Sequence, residues 1–303
     1  SFPGSAWECI KSTGVGSRLI FQSLSEGESK TLTPLISYLV FLLGLICFIL
    51  TFPTTAKAAD IKVAVASNFT TTIKQLKPIF EKQTGHNLIL HFGSTGKLYA
   101  QITNGAPYDI FMAADVKRPK LLVEKGLAVS ESRFTYANGR LVLWVPESDA
   151  KAVFNAGNID RLAITNPKLA PYGMAAKQFL KSQGRWKQYQ SKLLVGNNIS
   201  QTYQFIDTGG VTAGFVALSQ VLSKNHDAAS KSIWVIPVST YTLLEQQAVL
   251  LEQHEHKSKN KKSAQQFLEF LSGTEAINII EKAGYVVGNQ AKDLNGEKAK
   301  GHK

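Results

Sequence analysis

Cysteine is almost absent from this 303-residue chain, which contains two, Cys9 and Cys47. Both lie in the first sixty residues, so the rest of the chain can form neither a disulfide framework nor a thiolate metal site. Two enzyme motifs are also missing: the phosphate-binding pattern Gly-x-x-x-x-Gly-Lys-Ser/Thr and the nucleophile pattern Gly-x-Ser-x-Gly. These absences favour a binding protein over a nucleotide hydrolase or an esterase.

Acidic residues are scarce relative to basic ones, with 22 Asp and Glu against 34 Lys and Arg and a net charge of +12. A basic balance suits nucleic acid, anionic lipid or an anionic solute. The basic residues are scattered apart from one run, Lys257 to Lys262, which has no interleaved aromatic residues. We therefore expect a solvated loop there and no nucleic-acid partner. We interpret His254 and His256, just before this run, as solvated surface rather than a metal site.

One long apolar run interrupts an otherwise mixed sequence, at residues 35–52. The helix breaker Pro53 and the small residues Ala56 and Ala58 follow it, which predicts a secretory signal peptide cleaved after Ala58. An uncleaved membrane anchor is the alternative, because the run approaches the length of a bilayer span. We expect segment 1–58 to be absent from the mature protein and residues 292–303 to form a polar tail.

From residue 60 onwards, short apolar strands alternate with helical patterns. Strand 61–66, for example, precedes an amphipathic helix at 70–84 that ends at Gly85, a residue typical of helix C-termini. This alternation predicts an α/β fold with mostly parallel sheets and helices on both faces. The pattern changes at residues 137–140, Ala-Asn-Gly-Arg, which we predict to be a turn. A second α/β unit follows it and includes a helix at 199–207.

The most informative motif is the turn Phe92-Gly93-Ser94-Thr95-Gly96-Lys97, where a strand runs directly into a helix. Such a junction directs free backbone N–H groups at one point and suits an anion. Similar junctions occur at Ser67, Tyr172 and Ile199. Ligands of open α/β sheets bind at the carboxyl ends of the strands, so an anion held between the two units would contact all four junctions.

The predicted ligand-binding residues are therefore Ser67, Thr95, Tyr172 and Ile199. The predicted supporting residues are Asn68, Gly93, Ser94, Gly96 and Asn198. Ser67 taken alone also fits a plain helix N-cap, and Thr95-Gly96 an ordinary turn. Asp109 and Asp115 resemble acid catalysts, but a carboxylate repels an anion, so we expect them to cap or pair near the sheet edge.

The chain resembles the periplasmic molybdate-binding proteins of bacterial ABC importers. The matching segments are Val63–Asn68, Phe92–Leu98, Asn104–Asp115, Asn138–Trp144, Asn166–Gly173 and Gly214–Ser219. The stretch Gly-Ala-Pro-x-Asp-x-Phe-x-x-Ala-Asp within the third segment is the most specific. The resemblance covers nearly all of residues 60–290.

This resemblance implies a two-lobed periplasmic-binding-protein fold, each lobe a mostly parallel sheet flanked by helices, with the ligand cleft between the lobes. Lobe 1 would comprise 59–138 plus 240–291, and lobe 2 would comprise 139–239. The implied protein is a periplasmic monomer without enzymatic activity or cofactor. It binds molybdate, and also tungstate, and delivers the ion to the membrane permease of an ABC importer.

The same resemblance assigns the oxyanion contacts to Ser67 and Thr95 through hydroxyl and backbone N–H, and to Tyr172 and Ile199 through backbone N–H. The metal is held as an oxyanion, so no side chain coordinates it directly. Some members bond the oxyanion with a Tyr where this chain has Ala217, so we expect the phenol to come from Tyr172 instead. Lys97 need not touch the ion, since helix N-termini supply partial positive charge.

Two alternatives to this function remain open at the level of sequence. One is a binding protein for another oxyanion, such as sulfate or thiosulfate. The other is an enzyme that acts on a phosphorylated or sulfated substrate. Sulfate carries the same charge as molybdate, so selection between them would rest on the size of the cavity, which the sequence does not give.

Overall fold

A computed structural model of the protein describes residues 37–43, 58–224, 227, 229–252 and 260–288. Residues 37–43, within the predicted signal segment, are helical with exposed side chains. The chain divides into two units, Ser1–Ala56 and Lys57–Lys303, and both β-sheets belong to the second. Most of the signal segment, His254, His256 and the tail 292–303 lie outside the described residues. Within the described ranges, no helix has the length and apolarity to cross a membrane.

Strands and helices alternate along the second unit. The strands are β1 (Asp60–Ala66), β2 (Asn87–Gly93), β3 (Ile110–Met112), β4 (Phe134–Gly139), β5 (Leu141–Trp144), β6 (Leu162–Thr165), β7 (Leu193–Gly196), β8 (Ala213–Ala217), β9 (Ile233–Val235) and β10 (Leu244–Leu250). The α-helices are α1 (Thr70–Thr84), α2 (Thr95–Thr103), α3 (Lys117–Glu124), α4 (Ala150–Ala156), α5 (Pro171–Ser182), α6 (Trp186–Gln190), α7 (Ile199–Asp207), α8 (Leu218–Leu222), α9 (Lys261–Leu271) and α10 (Thr274–Lys282). Short 3₁₀ turns lie at Ser67–Phe69, Ser130–Ser132 and Val238–Thr240.

The strands form two sheets of the same topology, one in each lobe. Sheet 1 has the order β2-β1-β3-β10-β4 and sheet 2 the order β7-β6-β8-β5-β9. In each sheet the first three strands are parallel, and the last two pair antiparallel to their neighbours. The predicted two-lobed α/β fold is confirmed, although the sheets are mixed rather than mostly parallel. The antiparallel strands are those next to the points where the chain crosses between lobes.

The chain crosses between the sheets twice. β4 ends at Gly139 and β5 begins at Leu141, so Arg140 alone joins them in the first crossing. The second crossing runs from the end of β9 to the start of β10. Two narrow connections of this kind allow two lobes to move about a hinge.

The predicted turn at 137–140 is wrong, because Phe134–Gly139 forms strand β4. An Asn-Gly-Arg sequence is a strong local turn signal. Here the long-range pairing of β4 with β10 overrides it, with Asn138 opposite Glu245 and Gly139 opposite Leu244. β4 is thereby the last strand of lobe 1 before the crossing.

Each lobe has its own apolar core. In lobe 1, Ile73, Leu76 and Phe80 of α1 are fully buried against the sheet, as their helical spacing predicts. Gly85 ends α1 in the left-handed conformation with φ of 71°, which glycine adopts without strain. In lobe 2, the rings of Phe179, Phe215 and Trp234 pack with centroids about 5.4–5.5 Å apart. The lobe 2 core also extends across the interface to Ala66, Ala114 and Leu244 of lobe 1, so the two lobes make apolar contact beside the cavity.

Candidate functional site

The carboxyl ends of strands from both sheets meet at one small cavity. Its lining residues are Ala66, Ser67, Asn68, Thr95 and Ala114 from lobe 1, and Ala170, Pro171, Tyr172 and Ile199 from lobe 2. All four predicted binding residues are among them. The space for the centre of a water-sized sphere is about 10 Å³, roughly room for one water molecule. The cavity therefore suits a small compact solute.

Ser67 follows β1 directly and opens the 3₁₀ turn that leads into α1. It is buried, and neither that turn nor α1 has a side-chain cap. The plain N-cap interpretation of Ser67 is therefore wrong. Its backbone oxygen accepts hydrogen bonds from Thr70 Oγ1 at 2.8 Å and from Ser200 Oγ at 3.1 Å. The second bond comes from α7 of lobe 2, so Ser67 is fixed from both sides of the cleft.

Thr95 is the first residue of α2 and is 1% exposed. Ser94 is the N-cap and accepts from the backbone N–H of Lys97 at 3.4 Å. The backbone N–H of Ala114 donates to Thr95 Oγ1 at 3.2 Å. A hydroxyl that accepts one bond keeps its proton for an acceptor elsewhere. Thr95 is thus set up to donate into the cavity that it lines.

Tyr172 and Ile199 lie in the first turns of α5 and α7. The first N–H groups of a helix have no partner inside the helix and carry partial positive charge. Gly173 lets α5 approach β6 closely, because a Cβ there would lie 2.1 Å from the Thr165 oxygen. Asn198 caps α7 by accepting from the backbone N–H of Gln201 at 3.0 Å. Two helix N-termini of lobe 2 are thereby fixed at the cavity.

The predicted supporting residues divide into three groups. Asn68 lines the cavity itself. Gly93, Ser94 and Asn198 instead line a neighbouring, more open groove together with Lys97. The backbone N–H of Gly96 donates to the Leu169 oxygen across the cleft at 2.8 Å. A Cβ on Gly96 would lie 2.8 Å from that same oxygen, so glycine permits this contact between the lobes.

The cavity is electrically neutral. None of its described lining residues carries a carboxylate, ammonium or guanidinium group. Tyr172 is the one ionisable side chain among them, and burial raises the pKa of its hydroxyl well above the ordinary value of 10. The phenol therefore stays protonated at any physiological pH, and the cavity offers hydroxyl and amide groups rather than charges.

The two aspartates that resemble acid catalysts form hydrogen bonds within lobe 1, and the predicted pairing is confirmed for Asp115. Asp109 Oδ2 accepts from the backbone N–H of Lys62 at 2.8 Å. Asp115 accepts from the backbone N–H of Arg118 at 2.9 Å and forms an ion pair with its guanidinium. Neither carboxylate lines the cavity. Among the residues that the structure describes, no cluster of His, Cys, Asp and Glu is suited to a metal ion.

Sequence reasoning does not identify several residues that shape the site. Ala114 and Ala170 line the cavity, and alanines carry no chemical signal of their own. Gln246 of β10 donates from Nε2 to the Tyr172 hydroxyl at 3.3 Å. Its distance in sequence from Tyr172 hides that contact. Ala217, where the resemblance implies a tyrosine in some members, ends β8 and is fully buried.

Comparison with known proteins gives a consistent set of relatives. The profile of the family described as bacterial extracellular solute-binding protein matches residues 61–286. The molybdate-binding protein ModA of Azotobacter vinelandii is 44% identical over 234 residues, which cover 76% of this chain and 91% of that protein. ModA of Rhodobacter capsulatus is 41% identical over 234 residues, covering 76% and 90%. The solved periplasmic molybdate-binding protein of Azotobacter vinelandii superimposes with a TM-score of 0.69 at 39% identity, covering 76% of this chain and 100% of that one.

Proposed function

Because the chain belongs to the bacterial extracellular solute-binding proteins, we propose that it is the periplasmic molybdate-binding component of an ABC importer. Relatives above 40% identity that are named for molybdate binding support this ligand. The protein is a transport binding protein and not an enzyme. The single observation that carries the proposal is the small neutral cavity where strand ends and helix N-termini of both lobes converge.

Within this cavity, we propose that Ser67, Thr95, Tyr172 and Ile199 hold the ion, with Asn68 beside them. Molybdate is a tetrahedral dianion with four acceptor oxygens and no proton at neutral pH. A set of neutral donors matches it and rejects protonated oxyanions, whose O–H would face another donor. Tungstate, of the same shape and charge, is expected to bind as well. Cavity size then has to separate both ions from the smaller sulfate.

Export and delivery complete the proposal. Segment 1–58 would direct secretion and be removed after Ala58, leaving lobes of 59–138 plus 240–291 and 139–239. The mature monomer would close on the ion by a hinge motion at the two crossings. Closure follows from binding only where the closed form binds the ion better than the open form. The closed form would then present the ion to the permease subunits.

Isothermal titration of the purified protein with molybdate, tungstate, sulfate and thiosulfate tests the ligand. We expect one molybdate or tungstate per chain and weaker binding of sulfate and thiosulfate. Phosphate, a tetrahedral ion that carries a proton at neutral pH, is the matched control and should not bind. Equal affinity for sulfate and molybdate would contradict the proposed selectivity, and tight phosphate binding would contradict the neutral-donor site.

A further inference from the structure

Gln246 lies at the centre of a buried hydrogen-bond network behind the cavity. Its side chain is fully buried. Its Oε1 accepts from Asn68 Nδ2 at 2.8 Å and from the Tyr136 hydroxyl at 3.0 Å. Its Nε2 donates to the Tyr172 hydroxyl at 3.3 Å. One amide therefore contacts both Asn68 of lobe 1 and Tyr172 of lobe 2, which line opposite sides of the cavity.

The contact with Tyr172 crosses from one lobe to the other at the first interlobe connection. A Cβ on Gly139, the last residue of β4, would lie 2.1 Å from the Tyr172 hydroxyl and 2.6 Å from Gln246 Nε2. The absence of a side chain at Gly139 is what lets the phenol and the amide meet. The bond is thus built where the chain leaves lobe 1, so its geometry changes whenever the lobes rotate apart.

An irregularity in the pairing of β10 with β4 orients the Gln246 side chain toward the Tyr172 hydroxyl. The pairing of β10 with β4 shifts register between Gln246 and Gln247, so that Tyr136 is an extra residue on β4. Such bulges re-aim side chains near functional sites. Gln247 forms its own bonds within lobe 1, with Arg133 Nη1 at 2.7 Å and Thr135 Oγ1 at 3.1 Å. The two adjacent glutamines therefore have different roles, one across the cleft and one inside a lobe.

The other partners of Gln246 have further bonds in the network. Asn68 Nδ2 lies 3.1 Å from the Tyr285 hydroxyl. The Tyr136 hydroxyl also reaches the Ala113 oxygen at 3.2 Å. Among the described residues, the Tyr172 hydroxyl has Gln246 as its hydrogen-bond partner. Removing the amide therefore acts mainly on the bond between the lobes.

We propose that Gln246 is a positioning residue that couples closure of the lobes to oxyanion binding by holding Asn68 and Tyr172 in register across the cavity. This inference rests on the proposed function of the cavity as an oxyanion site. Gln246 does not line the cavity and acts through its two neighbours. Each hydrogen bond in the network joins neutral groups, so the coupling adds no charge to the ion's surroundings.

The test is Gln246→Met, which keeps the length of the side chain and removes its hydrogen bonds. Titration with molybdate should show about tenfold weaker binding than wild type, about 1.4 kcal/mol. Gln247→Met is the matched control and should bind as wild type does. Small-angle scattering should show a smaller ligand-induced decrease in radius of gyration for Gln246→Met, a change that general destabilisation of one lobe does not produce.

A double-mutant cycle with Tyr172→Phe isolates the bond. In the Gln246→Met background, Tyr172→Phe should weaken molybdate binding by less than it does in the wild-type background, because the bond that the two side chains share is already lost. Three outcomes would overturn the inference while leaving the molybdate proposal intact. They are additive losses of molybdate affinity in the double variant, equal losses in Gln246→Met and Gln247→Met, and wild-type affinity in Gln246→Met. Wild-type binding of sulfate instead of molybdate, with the Gln246→Met loss retained for sulfate, would overturn the proposed ligand and support the positioning role.

Discussion

At the scale of single residues, the Thr95 hydroxyl lines the cavity and already accepts one hydrogen bond. The Ala114 N–H donates to Thr95 Oγ1, and the hydroxyl proton stays available to donate to a ligand. The same N–H would be left without this acceptor if the hydroxyl were removed. Thr95 therefore links two consecutive strand ends, β2 through α2 and β3 through Ala114, at the cavity wall.

Thr95→Ala should weaken molybdate binding by about 1–3 kcal/mol, the range for a hydrogen bond to a charged group. Thr95→Ser keeps the hydroxyl and should bind within a few-fold of wild type. Thr103→Ala is a matched control, because its hydroxyl bonds to the Ala100 oxygen at the far end of the same helix. Titration calorimetry distinguishes these variants. If Thr95→Ala bound as tightly as Thr103→Ala, Thr95 would not be a ligand.

At the scale of elements, local patterns predict the pieces that carry their own signal. The predicted helices at 70–84 and 199–207 coincide with α1 and α7, since both show a full apolar stripe and α7 begins at an Asn cap. The junctions at Ser67, Thr95, Tyr172 and Ile199 are likewise local, a strand end followed by a helix start. Their meeting in one cavity depends on topology, and their contact with an oxyanion remains a prediction.

Elements without a clear local signal of their own are not predicted. β4 contains a turn signal, and its pairing partner β10 follows about a hundred residues later. Helices α4 and α6 span seven and five residues, too few for a helical period to be recognised. The role of Gln246 likewise cannot be predicted from local sequence. Its proposed role depends on the register shift in β10 and on the lobe crossing at Gly139. The residues next to it in sequence indicate neither feature.

The proposed role of the α7 N-terminus in holding the ion can be tested by changing the charge at that end of the helix. Asn198→Asp keeps the cap, since Asp is as good an N-cap as Asn, but places a carboxylate one residue from Ile199. We expect unchanged or higher thermal stability, because a negative charge suits a helix N-terminus. Molybdate affinity should fall by about tenfold or more through repulsion, and the loss should shrink in high salt.

Asn198→Ala is the companion variant. It removes the bond to the Gln201 N–H and should lower stability by about 1 kcal/mol without adding charge. Thermal melts and titrations on both variants separate the cap from the electrostatics. An Asn198→Asp protein that bound molybdate as tightly as wild type would place the ion away from this helix.

At the scale of the whole molecule, neutral polar groups form hydrogen bonds between two lobes whose sheets share one topology. In the network behind the cavity, Ser219 Oγ of lobe 2 donates to the Tyr285 hydroxyl of lobe 1 at 2.9 Å, and that hydroxyl donates to the Asn68 oxygen at 2.9 Å. Three tyrosines of this network, Tyr136, Tyr172 and Tyr285, are buried. The interface between the lobes therefore depends on phenols that have to stay protonated.

This dependence predicts how stability varies with alkaline pH. Burial raises the pKa of Tyr285 to about 12, and it raises the pKa values of Tyr136 and Tyr172 well above 10. Below pH 10, folded and unfolded chains both keep these protons, so the contribution is fully present. Above pH 10 the unfolded chain releases protons that the folded chain retains. The free energy of unfolding then falls with rising pH, by up to ~1.4 kcal/mol per pH unit for each tyrosine.

Tyr285→Phe tests this linkage between the phenols and the fold. The variant loses the bonds to Asn68 and Ser219, so its free energy of unfolding should be lower than that of wild type at pH 8. Between pH 10 and 12, however, its stability should decline less steeply, because one fewer phenol is held protonated by folding. Urea titrations at pH 8, 10 and 11 measure both the offset and the slope. Parallel slopes for the two proteins would mean that the Tyr285 phenol titrates alike in the folded and unfolded chains, and that its burial between the lobes does not hold the proton.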